Sequence, residues 1–389
     1  MMENVTYSLS VLRRGAFYRN LRFPADSAPD ITVNRLAEIK ASLRATVFGD
    51  TEINLLTDEL MATQEIDGEP CKLGIFRPVA VKKTKKNSTE LWEIEAYDRS
   101  WPVKARRTET LRHIAAGVPY LPTIEQMLTD CGVRSIVADS SSAVFETERE
   151  DWPIGTPYLQ IVNTLLGEIG FDPLWFDTSG FAHLSAYAPV SASRIKRVYG
   201  ENIRRLPMSA DYTETTDIYN APNVFIGICD NADRDETLIA SAENKDFGSK
   251  SILRRGIRIP QVTKVDQIAD QESLQAYVDK QRDESMLSTQ TLSFAIPPDG
   301  AHEIGDVIAI DADGIAGIYR EEGWRLKMQA GQMLQITAKK TTASMDQQNT
   351  LLYVVVGDVM HCLIPSRARV QPYLLALQSG RVESTTLEL

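Results

Sequence analysis

The sequence predicts an α+β protein that is mainly β. Three observations carry this. Runs that alternate apolar and polar side chains recur along most of the chain. Turn sequences such as Pro297-Pro298-Asp299-Gly300 punctuate them. Helical periodicity is confined to three segments, which open at Thr123, Thr156 and Asp270. Hydrophobic residues make up 43% and charged residues 24%, an ordinary globular balance over 389 residues, with length for two to four domains.

Residues 1–110 read as a first β domain. From Ile39 to Val47, residues Ile39, Ala41, Leu43, Ala45 and Val47 share one face, with Lys40, Ser42, Arg44 and Thr46 on the other. Trp92, Ile94 and Ala96 alternate with Glu93 and Glu95 in the same way. The run Lys82 to Ser88 (KKTKKNS) reads as a hairpin tip, a solvated turn, because a phosphate site would want glycines or a helix start beside it.

Residues 111–205 read as an α/β insert of two helices and a hairpin. Thr123 to Gln126 fits a capping box that opens a helix ending at Gly132. Thr156 is a predicted N-cap with Pro157 at the first helical position, and Gly170 stops that helix. Tyr158, Ile161, Val162, Leu165, Leu166 and Ile169 form its apolar stripe. A strand from Leu174 to Phe176, a turn over Asp177 to Gly180 and a return strand from Phe181 to Tyr187 follow. Arg194, Lys196 and Arg197 form a basic cluster at a domain junction.

Residues 206–341 read as a second β domain with a helix near 270–287. Its predicted strands are Asn223–Ile228, Gly256–Ile259, Thr291–Ile296, Asp306–Ile310 and Met333–Ala338, and Leu274, Tyr277 and Val278 form the helix's inner face. Residues 342–389 contain one apolar strand, Leu351–Val356, and then an irregular tail from Arg367, read as an arm that binds a partner.

Nothing here is armed for catalysis. Asp311-Ala312-Asp313-Gly314, with Glu322 downstream, superficially suggests a calcium loop. However, Ile315 and Ala316 stand where the loop needs an oxygen ligand and its glycine, so it reads as a hairpin turn. The acidic loop Asp230 to Asp233 with Asp235 and Glu236 is uninformative among 53 acidic residues. Asn87-Ser88-Thr89 is a sequon without a secretory route. Cys71, Cys131, Cys229 and Cys362 are scattered and read as reduced thiols. The histidines are equally dispersed, and the neighbours His361 and Cys362 would point to opposite faces of a strand. No phosphate-cradling loop, nucleophile elbow or zinc-protease motif occurs. No catalytic, cofactor-binding or metal-ligating residue is therefore assigned, and no enzyme or cofactor is expected.

The net charge of −11 argues against sequence-specific nucleic-acid binding. The opening MMENVTYSLS lacks a signal peptide's cationic and apolar regions, and no apolar run is long enough to span a bilayer. Synthesis in the cytoplasm without stable membrane insertion is the expectation.

Three segments, in order, carry a resemblance: Leu91 to Trp101 (LWEIEAYDRSW), Trp152 to Tyr187, and Ile296 to Asp311 (IPPDGAHEIGDVIAID). Together with Ile66 to Val81 and Ala221 to Gly227 they make the chain similar to the baseplate hub proteins of bacteriophage tails, prophages and related injection particles, over residues 35 to 340. The resemblance implies two tail-tube-type β-barrel domains with α/β domains inserted and appended. It implies a homotrimer whose ring of six similar units joins a six-fold tail tube or distal tail protein above to a three-fold spike or tail-tip protein below, with a tape-measure protein in the lumen. The expected location is the virion, in the tail baseplate or tip. The stretch beyond residue 342 is too short for an ordinary enzyme domain, so any spike or lytic function is expected on a separate protein.

Two other classes are weaker. A cell-wall hydrolase with paired carboxylates would need a deep acidic cleft, which no spacing supports. A receptor- or glycan-binding module would want exposed aromatic loops, whereas most of Trp92, Trp101, Trp152, Trp175 and Trp324 lie in or beside predicted strands.

Overall fold

The structure, a computed structural model, describes residues 4–386 apart from 51–52, 87, 201–205, 217–221, 231–235, 246–249, 266–267, 269, 301, 313, 342–351, 357–358, 366–369 and 379–380. Beyond residue 351 it describes backbone pairing only. Most of the acidic loop after Asp230, Asn87 and Asp313 lie outside the described residues.

The chain opens with β1 (Val5–Arg13), β2 (Ala16–Leu21), β3 (Asp30–Asn34), β4 (Ala41–Phe48), β5 (Glu59–Ile66), β6 (Glu69–Lys86) and β7 (Thr89–Tyr97). An α/β unit follows: α1 (Ser100–Ala105), β8 (Arg112–Ile114), α2 (Tyr120–Asp130), β9 (Ile136–Ala138), β10 (Arg149–Trp152), α3 (Tyr158–Glu168), β11 (Trp175–Phe176) and β12 (Ala182–Leu184). Next come β13 (Ile195–Gly200), β14 (Tyr212–Thr216), β15 (Val224–Cys229), β16 (Leu238–Glu243), α4 (Ile252–Arg255), β17 (Pro260–Lys264) and α5 (Gln271–Met286). The chain continues through β18 (Leu287–Ile296), β19 (Val307–Ala312), β20 (Ile315–Lys327) and β21 (Leu334–Thr341), then β22 (Leu352–Val356), β23 (Val359–Pro365), β24 (Val370–Gln378) and β25 (Arg381–Thr386).

One sheet of 13 strands dominates, in the order β14-β18-β21-β20-β3-β4-β7-β6-β5-β1-β2, with β13 and β19 branching from β20. Two long strands give it its shape by changing partners. The first half of β6 pairs with β5, and from Arg77 onward it pairs with β7, through an irregularity between Pro78 and Ala80. Likewise β20 pairs with β19 through Ile315–Arg320 and with β3 through Gly323–Lys327, through an irregularity between Glu321 and Gly323 on its β21 side. Bulges of this kind bend and twist a strand. The β20–β3 ladder ties strands from both ends of the sequence into one sheet. A single buried cluster runs through both sets, from Leu9, Leu43 and Phe76 to Phe294, Ile308 and Leu326.

The α/β unit has its own core, where Ile124, Met127 and Leu128 of α2 meet Ile161, Val162 and Leu165 of α3. The small sheet β16-β15-β17 is covered on one face by Leu274 and Val278 of α5. Strands β22 to β25 form an antiparallel sheet of four.

Several expectations are corrected. Neither threonine caps its helix: α3 begins at Tyr158 with Pro157 as N-cap, while Thr156 Oγ1 donates to the Pro153 carbonyl. Helix α2 begins three residues before Thr123, whose hydroxyl donates back to the Pro119 carbonyl. The strand expected from Ile39 starts at Ala41. Lys40 is buried there, its Nζ donating to the carbonyls of Arg35 and Ala37 at 2.7 and 2.6 Å. Residues Lys82 to Lys86 belong to β6 itself rather than to a hairpin tip, and Lys82 faces Glu93 in register. Residues Gly256–Ile259 are not a strand: Gly256, at φ +67°, ends α4, and the strand begins at Pro260. The tail expected to be irregular contains β24 and β25. The strands expected near 291, 306 and 333 are present, and so is the helix expected to open at Asp270, whose carboxylate accepts from Ser273 N at 2.6 Å.

Candidate assembly surface

The sheet leaves strand edges open, and polar contacts hold the neighbouring elements against it. The ends of its main run of strands are β2 and β14, each paired on one side only among the described residues, with β1 and β18; the branch ends in a third edge strand, β13, which pairs with β19. The first five residues of β2 are exposed, Phe17 by 62% and Tyr18 by 45%, and Tyr212 on β14 is exposed by 41%. Unpaired backbone groups flanked by exposed aromatic rings form a surface to which another strand can add. Arg13 stacks 3.9 Å from the Tyr18 ring centroid and also pairs with the fully buried Asp58 at 2.9 Å, so the start of the edge is anchored.

Polar contacts fix the α/β unit to the large sheet and to α5. Arg99 forks onto both Glu59 oxygens at 2.9 and 2.7 Å and donates its third arm to the Gly180 carbonyl. Lys280 of α5 reaches Asp172 at 2.9 Å. In the third contact, the Glu303 carboxylate accepts from the Thr178 hydroxyl at 3.2 Å.

Burial, reinforced by Asp177 and Asp306, pushes Glu303 up to about 7 from an ordinary 4.5. The folded protein therefore holds this proton more tightly than the unfolded chain, so the stability contribution is complete below about 4.5 and lost as pH rises to about 7. Glu303→Gln is expected to match the parent in thermal unfolding at pH 4.5 and to exceed it at pH 8, by on the order of 2 kcal/mol. A gap independent of pH would contradict this.

The predicted basic cluster is spent on structure. Arg197 binds Asp299 and Asp306 at 3.0 and 3.3 Å, Lys196 binds Asp306 at 2.5 Å, and Arg194 donates to the Ala188 carbonyl. Beneath the same loop, His302 is buried between Glu321 (2.8 Å) and the Tyr199 hydroxyl (3.1 Å).

Sequence reasoning missed a second set, in which Arg320 and Glu322 are buried and Arg35 and Glu284 half-buried. Arg320 forks onto both oxygens of Glu284 at 2.7 Å and onto Glu322 at 2.8 Å, while Arg35 reaches Glu284 at 2.8 Å. Two arginines and two carboxylates thus join β20, α5 and the β3–β4 turn at the place where β20 changes partner. The available signal was the charged triplet Arg320-Glu321-Glu322 set between the apolar residues Ile318-Tyr319 and Trp324. The residues of DADG that are described stand at the β19–β20 turn, with Gly314 at φ +80°. Among the described residues no three His, Cys, Asp or Glu side chains gather into a group that could hold a metal ion. No helix there is long and apolar enough to cross a membrane.

No protein-family model matches the sequence, and no curated protein does. Solved structures do match. A tail protein from Neisseria meningitidis superposes with a TM-score of 0.61 over 86% of this chain and 97% of its own, at 13% identity. The 43 kDa tail protein of prophage MuSo2 from Shewanella oneidensis gives 0.59 over 87% and 99%, at 11% identity. The chain has the fold of phage tail proteins. Prophage tail protein gp18 from Listeria monocytogenes, at 12% identity and a TM-score of 0.54 over 87% of this chain and 96% of its own, extends this tail-protein fold to a third source. At such identities the match is carried by topology rather than by shared side chains.

Proposed function

We propose that this protein is the structural hub of a phage-type baseplate or tail tip. In this reading three copies join edge to edge into a ring that couples a six-fold tail tube to a three-fold spike and serves as the conduit during injection. The observation that carries it is the pair of open strand edges, β2 and β14, at opposite ends of the main run of one sheet. Edges at both ends let one copy dock on the next, and closing the ring would remove them from solvent. The two sets of strands, β1–β7 and β13–β21, supply the doubled element that would turn three chains into six similar units. The tail-protein fold supports the setting. The overall acidity suits a channel through which DNA or a tape-measure protein slides without adhering.

Light scattering over a concentration series tests the reading. The expected mass is three times the 43.4 kDa of one chain. The double variant Phe17→Asp, Tyr18→Asp is expected to shift the protein to monomer without loss of folded structure. A parent that stays monomeric even when mixed with its tube and spike partners would refute the ring.

A further inference from the structure

We propose that the α/β unit carries a docking site for an acidic, aliphatic-bearing peptide segment of a partner protein, built around Tyr158. Two guanidinium groups share this ring, Arg106 at 5.2 Å and Arg112 at 5.3 Å from its centroid, and Arg112 also donates to the phenol oxygen at 3.0 Å. Arg107 lies next to Arg106 and is tied to the Gly155 carbonyl at 2.8 Å. Arg106 donates to the Asp130 carbonyl. Among the described residues none of the three forms a salt bridge with a carboxylate; Arg106 and Arg107 are exposed and Arg112 is half-buried, in a chain of net charge −11. Each holds one neutral oxygen, which fixes its direction and leaves further N–H donors for an incoming anion.

A depression of about 570 Å³ opens beside Arg112 and Tyr158. Glu109 is the carboxylate on its lining, and His113 on the same lining is occupied by Glu148 at 3.3 Å. The class of ligand follows from the apolar neighbours. Leu111 on the lining is exposed by 60%, and Ile154, on the turn held by Arg107, is exposed by 66%. Inorganic phosphate would leave both in water, whereas a peptide with aliphatic and acidic side chains covers them and the arginines together. None of the residues lining the site belongs to β2 or β14, so the proposal does not depend on the ring.

Fluorescence anisotropy of the full chain with a labelled peptide of repeated Leu-Glu-Glu units tests this. We expect saturable binding that weakens with salt, weakens about tenfold in the double variant Arg106→Gln, Arg112→Gln, and stays within about twofold in Arg44→Gln. Leu111→Asp, a change at a side chain exposed by 60%, is expected to weaken it by about fivefold and keeps the test valid if the double variant misfolds. Equal binding of a Ser-Glu-Glu peptide, full displacement by millimolar inorganic phosphate, or unchanged binding in Leu111→Asp would each overturn the proposal. The first two would mean a simple anion site.

Discussion

Gly323→Ala is expected to split the large sheet at its seam. A Cβ built at Gly323 would lie 2.2 Å from the Val33 carbonyl oxygen and 3.1 Å from the Asn34 Cα, both backbone atoms of β3. No side-chain rotation relieves a clash with backbone, so β3 and β20 must move apart. The β20–β3 ladder is the hydrogen-bonded connection between the two sets of strands. We expect a loss of roughly 3 kcal/mol or more in urea unfolding. Gly331→Ala, at φ +81° with nothing within 4 Å of the new carbon, should cost only about 1 kcal/mol from backbone strain. If the two variants lose equal stability, the seam is not the weak point.

Arg320→Met is expected to be nearly as damaging, for an electrostatic reason. It leaves Glu284 and Glu322 facing each other with only Arg35 between them, 2.8 Å from the first and 3.7 Å from the second. Removing one member of a fully buried ionic group typically costs about 3–5 kcal/mol, because an uncompensated charge stays behind; Glu284 is 31% exposed and keeps Arg35, so a loss of about 2–3 kcal/mol is expected. The pH profile should change with it. Although burial alone would raise Glu284, the hydrogen bonds and charge of Arg320, with Arg35, hold it at about 2 against an ordinary 4.5. Its stabilisation in the parent is therefore present above 4.5 and fades as pH falls toward 2. In Arg320→Met that acid-side loss should shrink or reverse, since protonating Glu284 now relieves the buried charge. A variant that keeps the parental acid profile would show that Arg320 does not hold Glu284 ionised.

Local patterns in the chain marked most individual elements. The alternation of Leu43, Ala45 and Val47 against Arg44 and Thr46 produced a half-buried strand, since period-two burial needs only a sheet with one wet face. The stripe on α3 and the glycine stop at Gly170, φ +72°, appeared as read. Boundaries were less legible. Pro119 and Pro157 opened their helices although better cap residues stood nearby, because the hydroxyls of Thr123 and Thr156 found backbone carbonyls instead. Lys40 looked like the solvated member of an alternating strand. In the fold two carbonyls from the preceding turn surround its ammonium group, which burial and the nearby Arg35 push down to about 8.

The sequence by itself determined a mainly β chain with an α/β insert, the likeness of its ordered segments to phage hub proteins, and the lack of any motif for chemistry. Each of these depends on neighbours in sequence, which is where periodicity and turn residues act. Only the tertiary structure decided that β6 and β20 change partners, that the β20–β3 ladder joins the two sets of strands, and that Arg320, Arg35, Glu284 and Glu322 meet at that junction. The register between strands nearly three hundred residues apart is set by how whole faces pack and by which backbone groups still need partners. The same holds for the open edges, since an edge is defined by the strand that is not beside it.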